Sequence, residues 1–305
     1  MNRIFILILT SMSMNLPAQN TAFPKWLDRN EYPFESHYLE LASGKIHYVD
    51  EGQGDPIVMV HGNPGWSFEF RNVIKELSKT YRCIAIDHIG FGLSDKPNEW
   101  DYLPKNHAKN FEIFMDSLQL ENITLVVNDW GGPIGLSYAI KHPEKIKKIV
   151  ILNTWMWSVE DDPYYRKFSK MMGGNIGRFM IKHFNIFGKV VVKKAVGDKK
   201  QLKKNIHRHY YEHLATKKDR KGCYTFPKEI IGSSIWLKEL WAQKDKINSI
   251  PTTIIWGMKD IAFREQELNH WVKHWNNPKV IKLQKVGHFP QEEASEKVIQ
   301  QLKME

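Results

Sequence analysis

Val127-Asn128-Asp129-Trp130-Gly131-Gly132 is the most informative run of this sequence, because an apolar strand passes there directly into a helix. The letters ITLVV over 123–127 predict a buried strand, and residues 133–139 predict the start of a helix. Such a tight turn presents one side chain at the edge of a sheet, usually the Ser of a G-x-S-x-G pattern. Here Asp129 takes the Ser position and Val127 the position of the first Gly. An Asp can also simply cap the following helix, but the two glycines favour the tight turn.

Apolar runs and helical patterns alternate on both sides of this turn. Strands that are apolar throughout and separated by helices indicate a parallel sheet with helices on both faces. The sequence therefore predicts an α/β fold with a mostly parallel central sheet. The predicted strands cover 45–50, 56–60, 83–86, 123–127, 149–152, 252–256 and 279–283. The predicted helices cover 68–77, 106–118, 133–139, 265–275 and 291–302.

A basic and aromatic helical region interrupts the alternation over 155–241. We expect it to form a helical cap, inserted into a core made of 23–154 and 242–305, with Trp155 and Phe168 contacting the substrate. Residues 156–228 contain 18 Lys or Arg and 6 Asp or Glu, a net charge of +12, whereas the whole chain carries +10. Lysines in such number are more typical of a solvated helical surface than of specific phosphate recognition, which favours Arg. No nucleic-acid partner is expected.

The 305 residues of the chain include only two cysteines, which excludes a disulfide framework and a four-thiolate metal site. We expect Cys83 in a strand and Cys223 in a loop. No apolar run reaches the roughly 18 residues that a membrane-spanning helix needs, so no membrane span is expected. Residues 1–22 resemble a weak signal peptide or an incidental extension. We expect a cytoplasmic protein, or a periplasmic or secreted one if that segment is a signal peptide.

Four loops that follow predicted strands carry polar residues, at the edge of the sheet where active sites gather. These residues are Asn63, Asp129, Asp260 and His288. Taken singly, an Asp after a strand is typical of a turn, and a lone His is typical of a protein core. Their order along the chain is that of nucleophile, acid and histidine in the α/β-hydrolase triad, with the helical region between the first two. The sequence therefore predicts an α/β-hydrolase fold with Asp129, Asp260 and His288 as the catalytic residues.

An Asp nucleophile indicates attack on a saturated carbon. A Ser that displaced a group from such a carbon would leave an ether, whereas Asp129 leaves an ester that water can open. His288, oriented by Asp260, is then the predicted general base. The backbone N–H groups of Asn63 and Trp130 are predicted to form the oxyanion hole. Their side chains add an amide and an indole N–H, two neutral donors that suit a leaving chloride or bromide.

Several motifs together resemble the haloalkane dehalogenases, most closely their third subfamily. They are His61-Gly62-Asn63-Pro64, the run DHIGFGLSDKP over 87–97, the turn at Asp129, Gly257-Met258-Lys259-Asp260 and Gly287-His288-Phe289. The resemblance covers the chain from residue 23 onward and implies hydrolysis of a haloalkane to an alcohol, a halide and a proton. It implies an ester on the nucleophile, and Asn63 and Trp130 as the halide-binding pair. Its partners are the halogenated substrate, water and the halide, with no metal or organic cofactor.

Other families stay open as alternatives. The β-lactone decarboxylases of hydrocarbon biosynthesis resemble the same subfamily and use the same five positions, with Asp129 attacking a strained lactone ring. Epoxide hydrolases share the Asp turn, but their first loop usually has an aromatic residue where Asn63 stands. Their cap supplies two tyrosines that protonate the epoxide oxygen; the candidates here are Tyr164, Tyr165, Tyr210, Tyr211 and Tyr224. A non-catalytic ligand receptor would not need Asp129, Asp260 and His288 together.

Overall fold

The computed structural model describes residues 23–200 and 202–303, so the signal-like segment 1–22 lies outside the described residues. Eight strands form one sheet: β1 (His37–Leu41), β2 (Gly44–Glu51), β3 (Pro56–Val60), β4 (Arg82–Ile86), β5 (Ile123–Asp129), β6 (Ile146–Thr154), β7 (Thr252–Gly257) and β8 (Lys279–Leu283). Their order across the sheet is β1-β2-β4-β3-β5-β6-β7-β8. β1 and β2 pair antiparallel, as do β2 and β4, and the later pairs are all parallel. The predicted mostly parallel sheet is confirmed.

Helices flank this sheet, and seven of those in the described ranges lie between β6 and β7. In chain order the helices are α1 (Arg71–Leu77), α2 (Pro104–Leu118), α3 (Gly131–Lys141), α4 (Pro163–Gly173), α5 (Asn175–Phe184), α6 (Val192–Ala195), α7 (Lys204–His207), α8 (His209–Glu212), α9 (Lys221–Gly232), α10 (Ser234–Trp241), α11 (Glu265–His274), α12 (Pro290–Glu293) and α13 (Ser295–Lys303). We call α4 to α10 and the loops between them the cap segment. The cap segment begins where Asp162 caps α4 by accepting a hydrogen bond from the N–H of Tyr164 at 2.8 Å.

The structure differs from the sequence prediction at several elements. β1 was not predicted, because it is an edge strand whose half-buried side chains do not alternate clearly. The helix predicted over 68–77 begins as a 3₁₀ turn, Ser67–Phe70, before α1. The helix predicted over 291–302 is broken at Ala294, whose non-helical backbone separates α12 from α13.

The prediction of a loop at Cys223 was wrong, because this residue is buried in α9. Gly222 and Pro227 disfavour a helix locally, but the face that carries them packs against the rest of the protein. A Cβ on Gly222 would stand only 3.0 Å from the ring of Phe91, which shows how closely α9 approaches the core. Tertiary packing therefore overrides the local propensity here.

The turn between β5 and α3 leaves no room for extra atoms. Asp129 has a φ of +50°, in the left-handed region that most residues avoid. A Cβ on Gly131 would overlap the carbonyl oxygen of Val60 in β3, and one on Gly132 would overlap the hydroxyl of Thr154 in β6. Both glycines are therefore required for α3 to start against the neighbouring strands.

We expect Gly131→Ala to destabilise the protein by about 1–3 kcal/mol, since the methyl group would press on backbone that cannot move aside. Urea unfolding measures the change. The control is Gly232→Ala at the end of α9, where the new Cβ would meet only the flexible side-chain end of Glu229; its free energy of unfolding should shift by less than about 1 kcal/mol. Equal effects of the two substitutions would contradict the requirement at the turn.

Candidate active site

Asp129 stands at the end of β5 with its carboxylate fixed by backbone donors. The N–H of Asn63 donates to Oδ1 at 2.7 Å, and the N–H of Trp130 also donates to the carboxylate. Gly62 makes room for this arrangement, because a Cβ there would overlap the Asp129 side chain. Burial raises the pKa of Asp129, whereas His288 and the two N–H groups oppose that rise. The carboxylate is thus held by two backbone N–H groups, while its Oδ2 lies toward His288.

His288 lies between two carboxylates. Its Nδ1 is 2.9 Å from Oδ2 of Asp260, and its Nε2 is 3.7 Å from Oδ2 of Asp129. Oδ1 of Asp260 accepts a hydrogen bond from the N–H of Ala262 at 2.6 Å. Burial alone would lower the pKa of His288, but Asp260 and then Asp129 outweigh it and raise this pKa to about 9. The structure therefore brings the three predicted triad residues together in the order Asp260, His288, Asp129.

Asn153 supports this triad, although the sequence analysis did not select it. Its Nδ2 donates to Oδ2 of Asp260 at 2.9 Å and to the carbonyl of Gly257 at 3.1 Å. Its Oδ1 accepts from the N–H of Gly257 at 2.7 Å. Asn153 thereby ties the end of β6 to the end of β7 and orients the acid. The signal was available, since Asn153 directly follows a predicted strand.

A second buried network lies behind His288. Nε2 of Gln291 donates to Oε1 of Glu69 at 2.9 Å and to Oδ1 of Asn128 at 3.1 Å, and Nδ2 of Asn128 donates to the carbonyl of His288 at 3.1 Å. Glu69 is fully buried, and burial raises its pKa well above the usual range. Its hydrogen-bond donor here is the neutral amide of Gln291. No sequence signal separates Glu69 from an exposed helical glutamate.

Asn63 and Trp130 face the same cavity as Asp129 and His288. Trp130 is buried, with its ring 4.6 Å from that of Trp155 and 5.1 Å from that of Phe226. Nδ2 of Asn63 lies 3.3 Å from the carbonyl oxygen of Cys223 in α9. All five predicted site residues are thus assembled at the carboxyl edge of the sheet.

The cavity has a volume of about 430 Å³ and lies between the core and the cap segment. Its lining is mostly apolar and includes Trp155 and Phe168, the two positions expected to contact substrate. Tyr164 and Tyr165 also line it, but their hydroxyls donate to the carbonyls of Ile261 and Ala262. These hydroxyls are already engaged with the backbone, which disfavours the epoxide-hydrolase alternative.

Over residues 23–200 and 202–303, no group of three or more His, Cys, Asp or Glu side chains is arranged to hold a metal ion. Within the same ranges, the helices are all too short or too polar to cross a membrane.

Comparison with known proteins agrees with this fold. A model of the alpha/beta hydrolase fold family matches residues 55–295. The chain is 38% identical over 281 residues to a cis-3-alkyl-4-alkyloxetan-2-one decarboxylase of Shewanella oneidensis, covering 89% of this chain and 88% of the relative. It is 33% identical over 273 residues to haloalkane dehalogenase 2 of Mycobacterium tuberculosis, covering 89% and 94%.

Solved structures show the same architecture. A loop variant of a haloalkane dehalogenase from Bradyrhizobium elkanii superposes with a TM-score of 0.79 at 21% identity, covering 88% of this chain and 94% of that chain. A reconstructed ancestral haloalkane dehalogenase superposes with a TM-score of 0.77 at 23% identity, covering 87% and 96%. At 21–23% identity, the likeness to these solved structures shows the fold alone. Family membership is shown by the family model and by the relatives that are 33% and 38% identical. The chain therefore belongs to the α/β-hydrolase family and, within it, is a relative of the haloalkane dehalogenases.

Proposed function

We propose that this protein is a haloalkane dehalogenase that hydrolyses a carbon–halogen bond through an ester on Asp129. The observation that carries the proposal is an aspartate, rather than a serine, in the turn after β5, facing His288 across 3.7 Å. In the first step an oxygen of Asp129 attacks the carbon that bears the halogen, and the carbon–halogen bond breaks. The departing halide takes the bonding electrons and is received by the side-chain N–H groups of Asn63 and Trp130.

The second step hydrolyses the ester. His288 removes a proton from water, and the resulting hydroxide attacks the carbonyl carbon of the Asp129 ester. The backbone N–H groups of Asn63 and Trp130, which hold the free carboxylate, then stabilise the negative oxygen of the tetrahedral intermediate. Collapse releases the alcohol and regenerates Asp129. The two reaction steps need only a nucleophile, a base and water, so the proposal includes no cofactor.

The charge on Asp129 controls when His288 becomes a base. In the free enzyme two carboxylates raise the pKa of His288 to about 9, so the imidazole is protonated at pH 7. Formation of the ester removes the negative charge of Asp129 and with it one of these causes. The pKa of His288 then falls, the ring releases its proton to solvent, and general-base catalysis begins. That proton is the one which the overall reaction liberates with the halide.

A β-lactone decarboxylase is the second candidate, because the relative that is 38% identical carries that name. Attack by Asp129 on the saturated ring carbon would open the lactone to an ester that bears a free carboxylate. Loss of carbon dioxide would then expel the Asp129 carboxylate and leave an alkene. This sequence consumes no water. In water enriched in oxygen-18, dehalogenation therefore labels Asp129 over repeated turnovers, and decarboxylation leaves it unlabelled.

We expect Asp129→Ala to abolish bromide release from 1,2-dibromoethane and 1-bromobutane, lowering the rate by about a thousandfold or more. Bromide release by the wild type and its loss in the variant would establish both the reaction and the nucleophile. Asp116→Asn, which changes an exposed carboxylate on α2, is the control and should retain full activity. If the folded wild type releases no bromide, the dehalogenase proposal fails, and a cis-β-lactone is the next substrate to test.

His288→Gln should separate the two steps, since alkylation does not need the base and hydrolysis does. We expect a burst of about one bromide per enzyme molecule and then a stop, with the alkyl group retained on the protein. Intact-protein mass spectrometry measures the added mass, and peptide mapping locates it. Continued turnover at the wild-type rate would exclude His288 as the base.

The raised pKa of His288 also makes stability depend on pH. Between an unfolded pKa of about 6.5 and the folded value, the native state holds a proton that the unfolded state has lost. This contribution, roughly 3 kcal/mol, is complete below pH 6.5 or so and disappears as the pH rises through 9. Urea unfolding of the wild type near pH 6 and pH 9.5 should show the loss, whereas His288→Gln should lack it. The same slope in both proteins would assign the effect to other groups.

A further inference from the structure

Helix α5 carries an apolar stripe that faces solvent. Ile176, Phe179 and Phe184 are 82%, 52% and 55% exposed, and the rings of Phe179 and Phe184 lie 6.1 Å apart, edge to face. Only Gly177 and Ile181 of this helix are buried. A surface helix ordinarily turns its apolar side chains toward the core, so an exposed stripe of this kind marks an interaction surface.

The stripe is adjacent in the chain to exposed residues that line the substrate cavity, here called the cavity mouth. Met171, just before α5, and Val190, just after it, both line the cavity and are themselves exposed. Lys194 also lines the cavity and is exposed. The helix is therefore flanked on both sides in the chain by residues of the cavity mouth. A surface that covered the stripe of α5 would therefore lie near the cavity mouth.

The same part of the chain is strongly basic. Residues 163–200 contain ten Lys or Arg, eight of them Lys, and a single acidic residue, Asp198. None of these ten cations forms an ion pair with any residue over 23–200 and 202–303, although ion pairs are frequent elsewhere in the described structure. The charge is therefore available to a partner of opposite sign.

We propose that the exposed side of α5 docks on the surface of a membrane that contains anionic lipids, with the cavity mouth toward the acyl chains. A helix that joins exposed aliphatic and aromatic side chains to flanking lysines is typical of interfacial binding. Lysines near the surface add attraction to anionic headgroups. A protein partner is disfavoured, because protein interfaces are enriched in Arg and depleted in Lys. A membrane would also be the source of an apolar substrate for an apolar cavity.

The test is co-sedimentation of the full chain with vesicles of phosphatidylcholine alone or mixed equally with phosphatidylglycerol. We expect binding to the anionic vesicles to be at least about tenfold tighter, and to weaken when the salt concentration rises from about 0.05 M to about 0.5 M. Equal affinity for the two kinds of vesicle, or no binding to either, would overturn the proposal. Self-association of the chain without vesicle binding would assign the stripe to a second copy instead.

Paired substitutions locate the binding surface. The double variant Ile176→Gln, Phe179→Gln should weaken binding to anionic vesicles by about tenfold or more, since both apolar anchors are lost. Its control, Ile113→Gln with Val272→Gln, changes two exposed apolar residues on α2 and α11 and should bind as the wild type does.

A second pair of variants tests the charge. Arg178→Gln with Lys182→Gln should also weaken binding, whereas Lys105→Gln with Lys109→Gln on α2 should not. Thermal unfolding checks that each variant is folded, and none of the substituted residues lines the cavity. If the double variants on α5 and their control variants bind anionic vesicles equally well, vesicle binding resides outside α5 and the proposal is overturned.

Discussion

The whole site depends on the tight turn after β5, where no side chain fits at Gly131 or Gly132. Two glycines let α3 begin against β3 and β6, and the positive φ of Asp129 directs its side chain to the carboxyl edge of the sheet. Because parallel strands end at the same edge, the loops after β3, β7 and β8 converge on that one carboxylate. The backbone donors, the histidine and the cavity are all positioned relative to it.

Three carboxyl groups lie near the imidazole of His288, and each has different hydrogen-bond donors. Asp260 accepts hydrogen bonds from the side chain of Asn153 and the N–H of Ala262, and Asp129 accepts from two backbone N–H groups. Glu69 accepts from the amide of Gln291, and burial raises its pKa well above the usual range. The positively charged ring of His288 thus faces a number of carboxylates that changes during the proposed reaction, because Asp129 becomes an uncharged ester. Burial would make such a cluster costly if all its members were ionised together.

Site residues whose role follows from their position at the end of a strand could be predicted from the sequence. Asp129, Asp260 and His288 each follow an apolar run, and the rule for parallel sheets brings such residues together. Asn153 follows a strand too, but it can orient Asp260 only because β6 and β7 are neighbours in the sheet. No local sequence pattern shows that they are neighbours. Glu69 acquires its role from Gln291, more than two hundred residues away. The edge strand β1 and the helix around Cys223 were missed because packing, not local pattern, determines them.

The contact between Asn63 and the carbonyl oxygen of Cys223 has an evolutionary consequence. The amide proposed to receive the leaving halide shares its hydrogen-bonding capacity with the backbone of α9. A substitution that shifts the backbone of α9 therefore alters two properties at once, the shape of the cavity that Pro227 and Ile230 line and the hydrogen bonding of the Asn63 amide. In the proposed reaction, leaving-group preference and substrate size are thus coupled through this one helix.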